Sequence, residues 1–234
     1  MHLPGLNNNK NSRFKELIKR TFTGILIAIV IFYNLLNYPK IFSLLILFSA
    51  LIILKQELPL ICSNIFNNIK YNNIKNKLFF YFISLFYIIV PFILIIYFEL
   101  SKYKILNLYL FSLVFAHDSG SYVFGNLFGY HKLCPKISPK KSIEGAIGGL
   151  LSVIAGFLIF NKLKINISFN QIFIFSLLIS ILALSGDLLE SYLKRLANIK
   201  DSGNILPGHG GLLDRFDSIL LNTYFLYIIK DYLI

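Results

Sequence analysis

Tryptophan is absent from this 234-residue chain, methionine occurs once, and there are only two cysteines. Cys62 and Cys134 lie far apart with no C-x-x-C pairing. That excludes a disulfide framework and a zinc knuckle, and leaves two inert thiols. The missing tryptophan, beside abundant Ile, Asn, Lys, Phe and Tyr, fits a codon bias toward A and T and carries no chemistry. Charge is scarce as well: Asp, Glu, Lys and Arg make up 15% of the residues, where a soluble domain has about a quarter. A soluble fold is thereby excluded, and the 56% hydrophobic content and mean hydropathy of +0.68 place the chain in lipid. Acidic residues are the scarcer sign, 11 against 23 basic ones, for a net charge of +12. In so apolar a chain this excess points to anchoring on anionic headgroups and to orientation during insertion, a better account than nucleic-acid binding. Internal repeats, heptads and interdomain linkers are lacking too, so one membrane domain over residues 1–234 is expected.

What the chain does have is apolar runs, at residues 22–36, 41–54, 78–98, 105–116, 143–160, 171–189 and 213–234. Crossing the hydrocarbon takes about 20 such residues, fewer where a segment ends in a cavity. The fold class expected is therefore all-α, a polytopic membrane bundle of about seven transmembrane helices. A tight turn at Asn37, Tyr38, Pro39 and Lys40 predicts a hairpin of the first two runs. The basic segment 1–20 precedes a run with no small-residue cleavage site, which reads as a retained signal anchor. With that segment inside, the loops around 55–77, 117–142 and 190–215 fall on the same side, and the four inner segments hold 17 of the 23 Lys and Arg residues. The two polar, glycine-rich loops, 117–142 and 190–215, are thus expected to share the cytosolic face.

Chemistry concentrates in those loops. If the sixth helix continues past residue 189, Asp187, Ser191 and Lys194 stack on one face, beside Glu190 and Arg195. A carboxylate at a membrane helix end is a functional hypothesis by default. Asp214 and Asp217, three apart, share a face of the seventh helix. Two helices can thus aim three carboxylates, Asp187, Asp214 and Asp217, at one point, a donor set that suits Mg²⁺ better than zinc. Between them, Pro207-Gly208-His209-Gly210-Gly211 offers backbone N–H groups that can cradle phosphate, flanked by Lys194, Arg195, Lys200 and Arg215. In the other loop, Asp118 ends the fourth run, and Ser138-Pro139-Lys140-Lys141-Ser142 sets cations and hydroxyls at a helix start, which favours anions. Lys132 and Lys136 read as headgroup anchors, and His117 and His131 as bystanders. Together these residues point to phosphoryl or nucleotidyl transfer to a lipid by metal clamping and positioning.

The stretch SYLKRLANIKDSGNILPGHGGLLDRFDS, from Ser191 to Ser218, closely resembles the C-terminal signature of the phosphatidate cytidylyltransferases, or CDP-diacylglycerol synthases. Its fixed positions are met by Ser191, Lys194, Arg195, Lys200, Asp201, His209, Gly210, Gly211, Asp214, Arg215 and Asp217. A second block is met by Asp118, Ser119, Gly120, Tyr122, Gly125, Ser138, Pro139, Lys141, Ser142, Glu144 and Gly145. Departures from the pattern are Ser121 for the usual alanine, Tyr130 for lysine, and no tryptophan ahead of Asp118. The resemblance implies a bacterial cytoplasmic-membrane enzyme with a cytosolic active site. Its substrates would be CTP and phosphatidate, its cofactor Mg²⁺ and its products CDP-diacylglycerol and pyrophosphate; a homodimer is admitted. It implies Asp187 and Asp214 as metal ligands, supported by Asp217 and then Asp201. Lys194, Arg195, Lys200 and Arg215 would neutralise phosphates, with Ser138, Lys141 and Ser191 in secondary contacts and His209 positioning phosphate. A CTP-dependent polyprenol or phytol kinase is the alternative, and an ion-coupled transporter a more distant one.

Overall fold

The computed structural model describes residues 26, 28–68, 74–163, 167–205 and 210–233. Helix α1 (Ala28–Asn37) and helix α2 (Pro39–Ile52) are separated by one non-helical residue, Tyr38. Its N–H donates to Asn34 O and its carbonyl accepts from Phe42 N–H, so the four-residue turn expected at 37–40 shrinks to a break in a nearly continuous ladder. Helix α2 passes through a π-helical turn (Ile53–Glu57) into α3 (Leu58–Asn68), making one 30-residue apolar rod. The loop expected around 55–77 is therefore helical as far as Asn68. Ile53, Glu57, Ile61 and Ile65 recur every four residues and all are buried, which holds the rod against the bundle.

Helix α4 (Ile74–Leu100) returns, and a turn at 101–104 leads into α5 (Ile105–Phe128). The fourth apolar run was expected to end at Asp118; the helix instead continues ten residues further, so Asp118 stands within it. A short antiparallel hairpin follows, β1 (Lys132–Cys134) with β2 (Ser138–Ser142), in the register Lys132 to Ser142 and Cys134 to Ser138. Then come α6 (Ile143–Leu163), α7 (Phe169–Leu196) and α8 (Leu213–Leu233). Ser142 accepts from Gly145 N–H at the start of α6, and Ser168 with Gln171 forms a capping box on α7.

Among the described residues four stretches are long and apolar enough to cross a bilayer: Pro39–Asn68, Ile74–Leu100, Ile143–Lys162 and Phe169–Leu196. Their outward side chains, among them Leu44, Phe48, Phe82 and Ile181, are mostly hydrophobic and exposed, so the chain is a membrane protein. The other three expected spans are not among them. The first falls partly outside the described residues, and α5 and α8 are diluted by polar side chains. Helix α8 packs on α4, α5 and α7 and buries Asp217, Ser218, Asn222 and Thr223, so protein rather than lipid surrounds its inner end. Aromatic pairs stitch the layers, with Phe92 on Phe216 at 4.9 Å, Tyr109 on Phe160 at 4.8 Å and Phe42 edge-on to Phe111 at 5.7 Å.

Helices α7 and α8 touch backbone to backbone at Gly186, where an added Cβ would lie 2.3 Å from the Asp217 carbonyl oxygen. That approach sets Asp187 beside Asp217. Gly186→Ala is expected to lower the thermal unfolding midpoint in detergent by roughly 5–10 °C, through overpacking against a carbonyl that cannot move aside. Gly125→Ala meets nothing closer than 3.4 Å and should leave the midpoint within about 2 °C. Equal shifts in the two variants would contradict this packing.

Candidate active site

A cavity of about 210 Å³ opens between α5, β2, α6 and α7, lined by His117, Asp118, Lys140, Lys141, Ser142 and Asp187 among others. It joins the two sequence blocks. Lys141 from β2 reaches across to Asp187 on α7, Nζ to Oδ2 at 2.6 Å, and the Ser191 hydroxyl donates to the other Asp187 oxygen at 3.3 Å. Arg195 reinforces the junction by donating to the Ile137 carbonyl in the hairpin turn and to Ile199 O. On the opposite wall, α5 and α6 approach closely because Gly148 and Gly149 lack side chains; a Cβ on Gly149 would strike Ser121 and His117. His117 is buried, with Nδ1 3.2 Å from Asp118 Oδ1. Among the described residues its Nε2 and the Ser121 hydroxyl have no hydrogen-bond partner.

A second cluster lies one helical turn along α7. Lys194 is buried and bridges two carboxylates, Glu190 at 2.6 Å and Asp214 at 2.5 Å. The other Asp214 oxygen accepts from Ser202 N–H at 3.1 Å and Gly211 N–H at 2.8 Å, which closes the loop before α8 over its own first turn. Gly210 requires its glycine, since it adopts φ 78° with Asp201 and Asp214 crowding its Cα. Between the two clusters sits Asp217, buried, accepting from Ser218 N–H at 2.7 Å. The charges of Asp187 and Asp118 bear on it, and its own charge bears on Glu190. Lys141 thus pairs with Asp187, and Lys194 lies between Glu190 and Asp214.

Of the expected site residues, the cavity gathers Asp118, Lys140, Lys141 and Asp187, with Ser191 behind Asp187. Lys194, Asp214 and Gly211 form the second cluster, with Gly210 beside them. Ser138 sits in β2 outside the cavity lining, while Arg195, Lys200, Asp201 and Arg215 are exposed around the loop. His209 lies outside the described residues. Two further residues belong here: Glu190, which the sequence only set beside that helix face, and Glu57, which it did not name. Glu190 is buried against Lys194. Glu57, from the distant π-helical turn, accepts from Ser202 Oγ, Leu212 N–H and Leu213 N–H. The available signal for Glu57 was an isolated acid inside Ile-Leu-Lys-Gln-Glu-Leu-Pro-Leu, flanked by apolar residues at four-residue spacing.

Residues 6–233 match the model of the cytidylyltransferase family, and the chain belongs to that family. Among curated relatives, it is 48% identical over 114 residues to a phosphatidate cytidylyltransferase of Staphylococcus haemolyticus, covering 48% of this chain and 44% of the relative. It is 44% identical over 117 residues to the phosphatidate cytidylyltransferase of Bacillus subtilis, covering 50% and 44%. The matched stretch thus spans less than half the length of these relatives.

Lys194→Met strands two buried carboxylates and is expected to cost about 3 kcal/mol of stability in detergent. Adding Glu190→Gln should restore part of that loss, because one stranded charge is removed. A Lys194→Met chain as stable as its parent would contradict the bridging role.

Proposed function

We propose that this chain is a phosphatidate cytidylyltransferase: a phosphate oxygen of phosphatidate attacks the α-phosphorus of CTP, the bond to the β-phosphate oxygen breaks, and CDP-diacylglycerol and pyrophosphate leave. The observation that carries this reading is the Lys141–Asp187 contact, which brings the two polar blocks of the sequence to one cavity. The names of the relatives support the same activity. The lysine and arginine bias supports a polar end in the cytosol, for a chain of about seven spans in a bacterial cytoplasmic membrane.

The donor chemistry fits a hard divalent cation. Asp118 and Asp187 line one cavity, the charges of both bear on Asp217, and all three offer only oxygen donors. Among the described residues no three His, Cys, Asp or Glu side chains converge as a ready-made metal cage. Magnesium suits such a site, since it takes one or two carboxylates and completes its shell with water and substrate phosphates. Asp187 and Asp217 would hold it, with the expected third ligand, Asp214, drawn off to Lys194 and to the Ser202 and Gly211 amides, and when bound it supplies charge neutralisation to the phosphates. The chain's own cations do related work. Lys140 and Lys141 stand at the cavity mouth to receive the triphosphate, and Arg195, Lys200 and Arg215 ring the loop where the lipid phosphate arrives. Phosphatidate is already ionised, so the chain needs no strong general base, and positioning with charge stabilisation dominates.

In membranes containing the chain, label from the α-phosphate of CTP is expected in a chloroform-soluble product that depends on phosphatidate and Mg²⁺. Asp214→Asn should reduce that transfer by about 100-fold or more. Label entering lipid from the γ-phosphate instead, with CDP released, would identify a lipid kinase.

A further inference from the structure

We infer that Glu57, a residue outside both polar blocks, is a positioning residue for the transfer proposed above; the inference rests on that reading for its catalytic half. Glu57 is 1% exposed, and among the described residues no Lys, Arg or His forms an ion pair with it. Its carboxylate instead faces three neutral donors. Oε1 accepts from Leu212 N–H at 2.6 Å, and Oε2 accepts from Leu213 N–H at 2.8 Å and from the Ser202 hydroxyl at 2.8 Å. Two of these are the free amides at the start of α8, the end of a helix that attracts negative charge. A side chain more than 140 positions earlier in the chain therefore caps α8. The loop is shaped to receive it, for a Cβ on Gly211 would lie 2.7 Å from the Glu57 carboxyl and one on Gly203 3.1 Å.

The consequence falls on Asp214, in the first turn of the same helix. A carboxylate there ordinarily folds back onto the free amides of its own helix. Here the amides of residues 212 and 213 are already taken by Glu57, so only Gly211 and Ser202 bind one Asp214 oxygen. The other oxygen stays on Lys194, which also holds Glu190. Glu57 thus decides which way Asp214 points. The π-helical turn that ends at Glu57 is the local device that turns the side chain inward, while Lys55 and Gln56 stay exposed.

Glutamine cannot substitute, because its NH₂ would oppose a backbone N–H. The test uses the full chain in vesicles of phosphatidylcholine with phosphatidate, comparing wild type, Glu57→Gln, Glu57→Asp and Ser202→Ala. In Glu57→Gln, hydrogen exchange at the amides of residues 212 and 213 should speed up by roughly tenfold or more. Its kcat should fall by about 100-fold while KM for CTP moves less than about threefold, with partial recovery in Glu57→Asp. Ser202→Ala removes one of the three donors without stranding a charge, and should show the same pattern at about a tenth of the size. It decides the matter if Glu57→Gln fails to fold. Unchanged exchange would overturn the inference whatever the activity, and faster exchange with kcat within about twofold of wild type would overturn the positioning role. A wild-type chain that makes no CDP-lipid would defeat the functional reading and the catalytic half together, with exchange still deciding whether Glu57 holds the loop.

Discussion

A carboxylate inside an apolar bundle persists only where ammonium groups or N–H donors replace the water it has lost, and most of this architecture is arranged to meet that demand. Of the described acidic residues, only Glu99 and Asp231 lie at the end away from the hairpin. Glu99 is held there by Asn107 and Lys104, and Asp231 by the Tyr103 hydroxyl and Lys230. The rest gather at the polar end. Lys141 pairs with Asp187 and Lys194 with Glu190 and Asp214, and the amides of the loop before α8 take up Glu57 and the other Asp214 oxygen.

This division of labour explains why α8 is the least lipid-like of the long helices. It carries Asp214 and Asp217 into the centre and is surrounded by α4, α5 and α7, so its polar residues meet protein on every side that matters. The close approach at Gly186 brings α7 alongside it, and the glycines of α6 do the same for α5. Small residues at these crossings let charged groups from separate helices come within reach of each other, which larger side chains would prevent.

The two polar blocks were legible in the sequence because their chemistry is local. Asp187, Ser191 and Lys194 follow helical spacing, and the hairpin lysines sit beside a serine that starts α6. The bundle's edges were harder to read. Asp118 looked like a helix end because polar residues follow it, yet Gly120 and Gly125 are accommodated by close contact with α6 and the helix runs on. Glu57 was hidden for the opposite reason. Lys55, Gln56 and Glu57 together look like the start of a loop, and only the π-helical turn, a tertiary outcome, turns one of the three inward. Its partners lie in a loop far along the chain, so no local pattern announces the contact.

The contact between the two blocks is the central claim, and a double-mutant cycle on Lys141 and Asp187 tests it most directly. Lys141→Met, Asp187→Asn and the double variant would be compared for transfer rate and for unfolding midpoint in the same detergent. Joined residues predict a coupling of at least about 1.5 kcal/mol, with the double variant far less impaired than the product of the single effects. Single effects that simply multiply, in both rate and stability, would mean that the hairpin and α7 do not meet at one site.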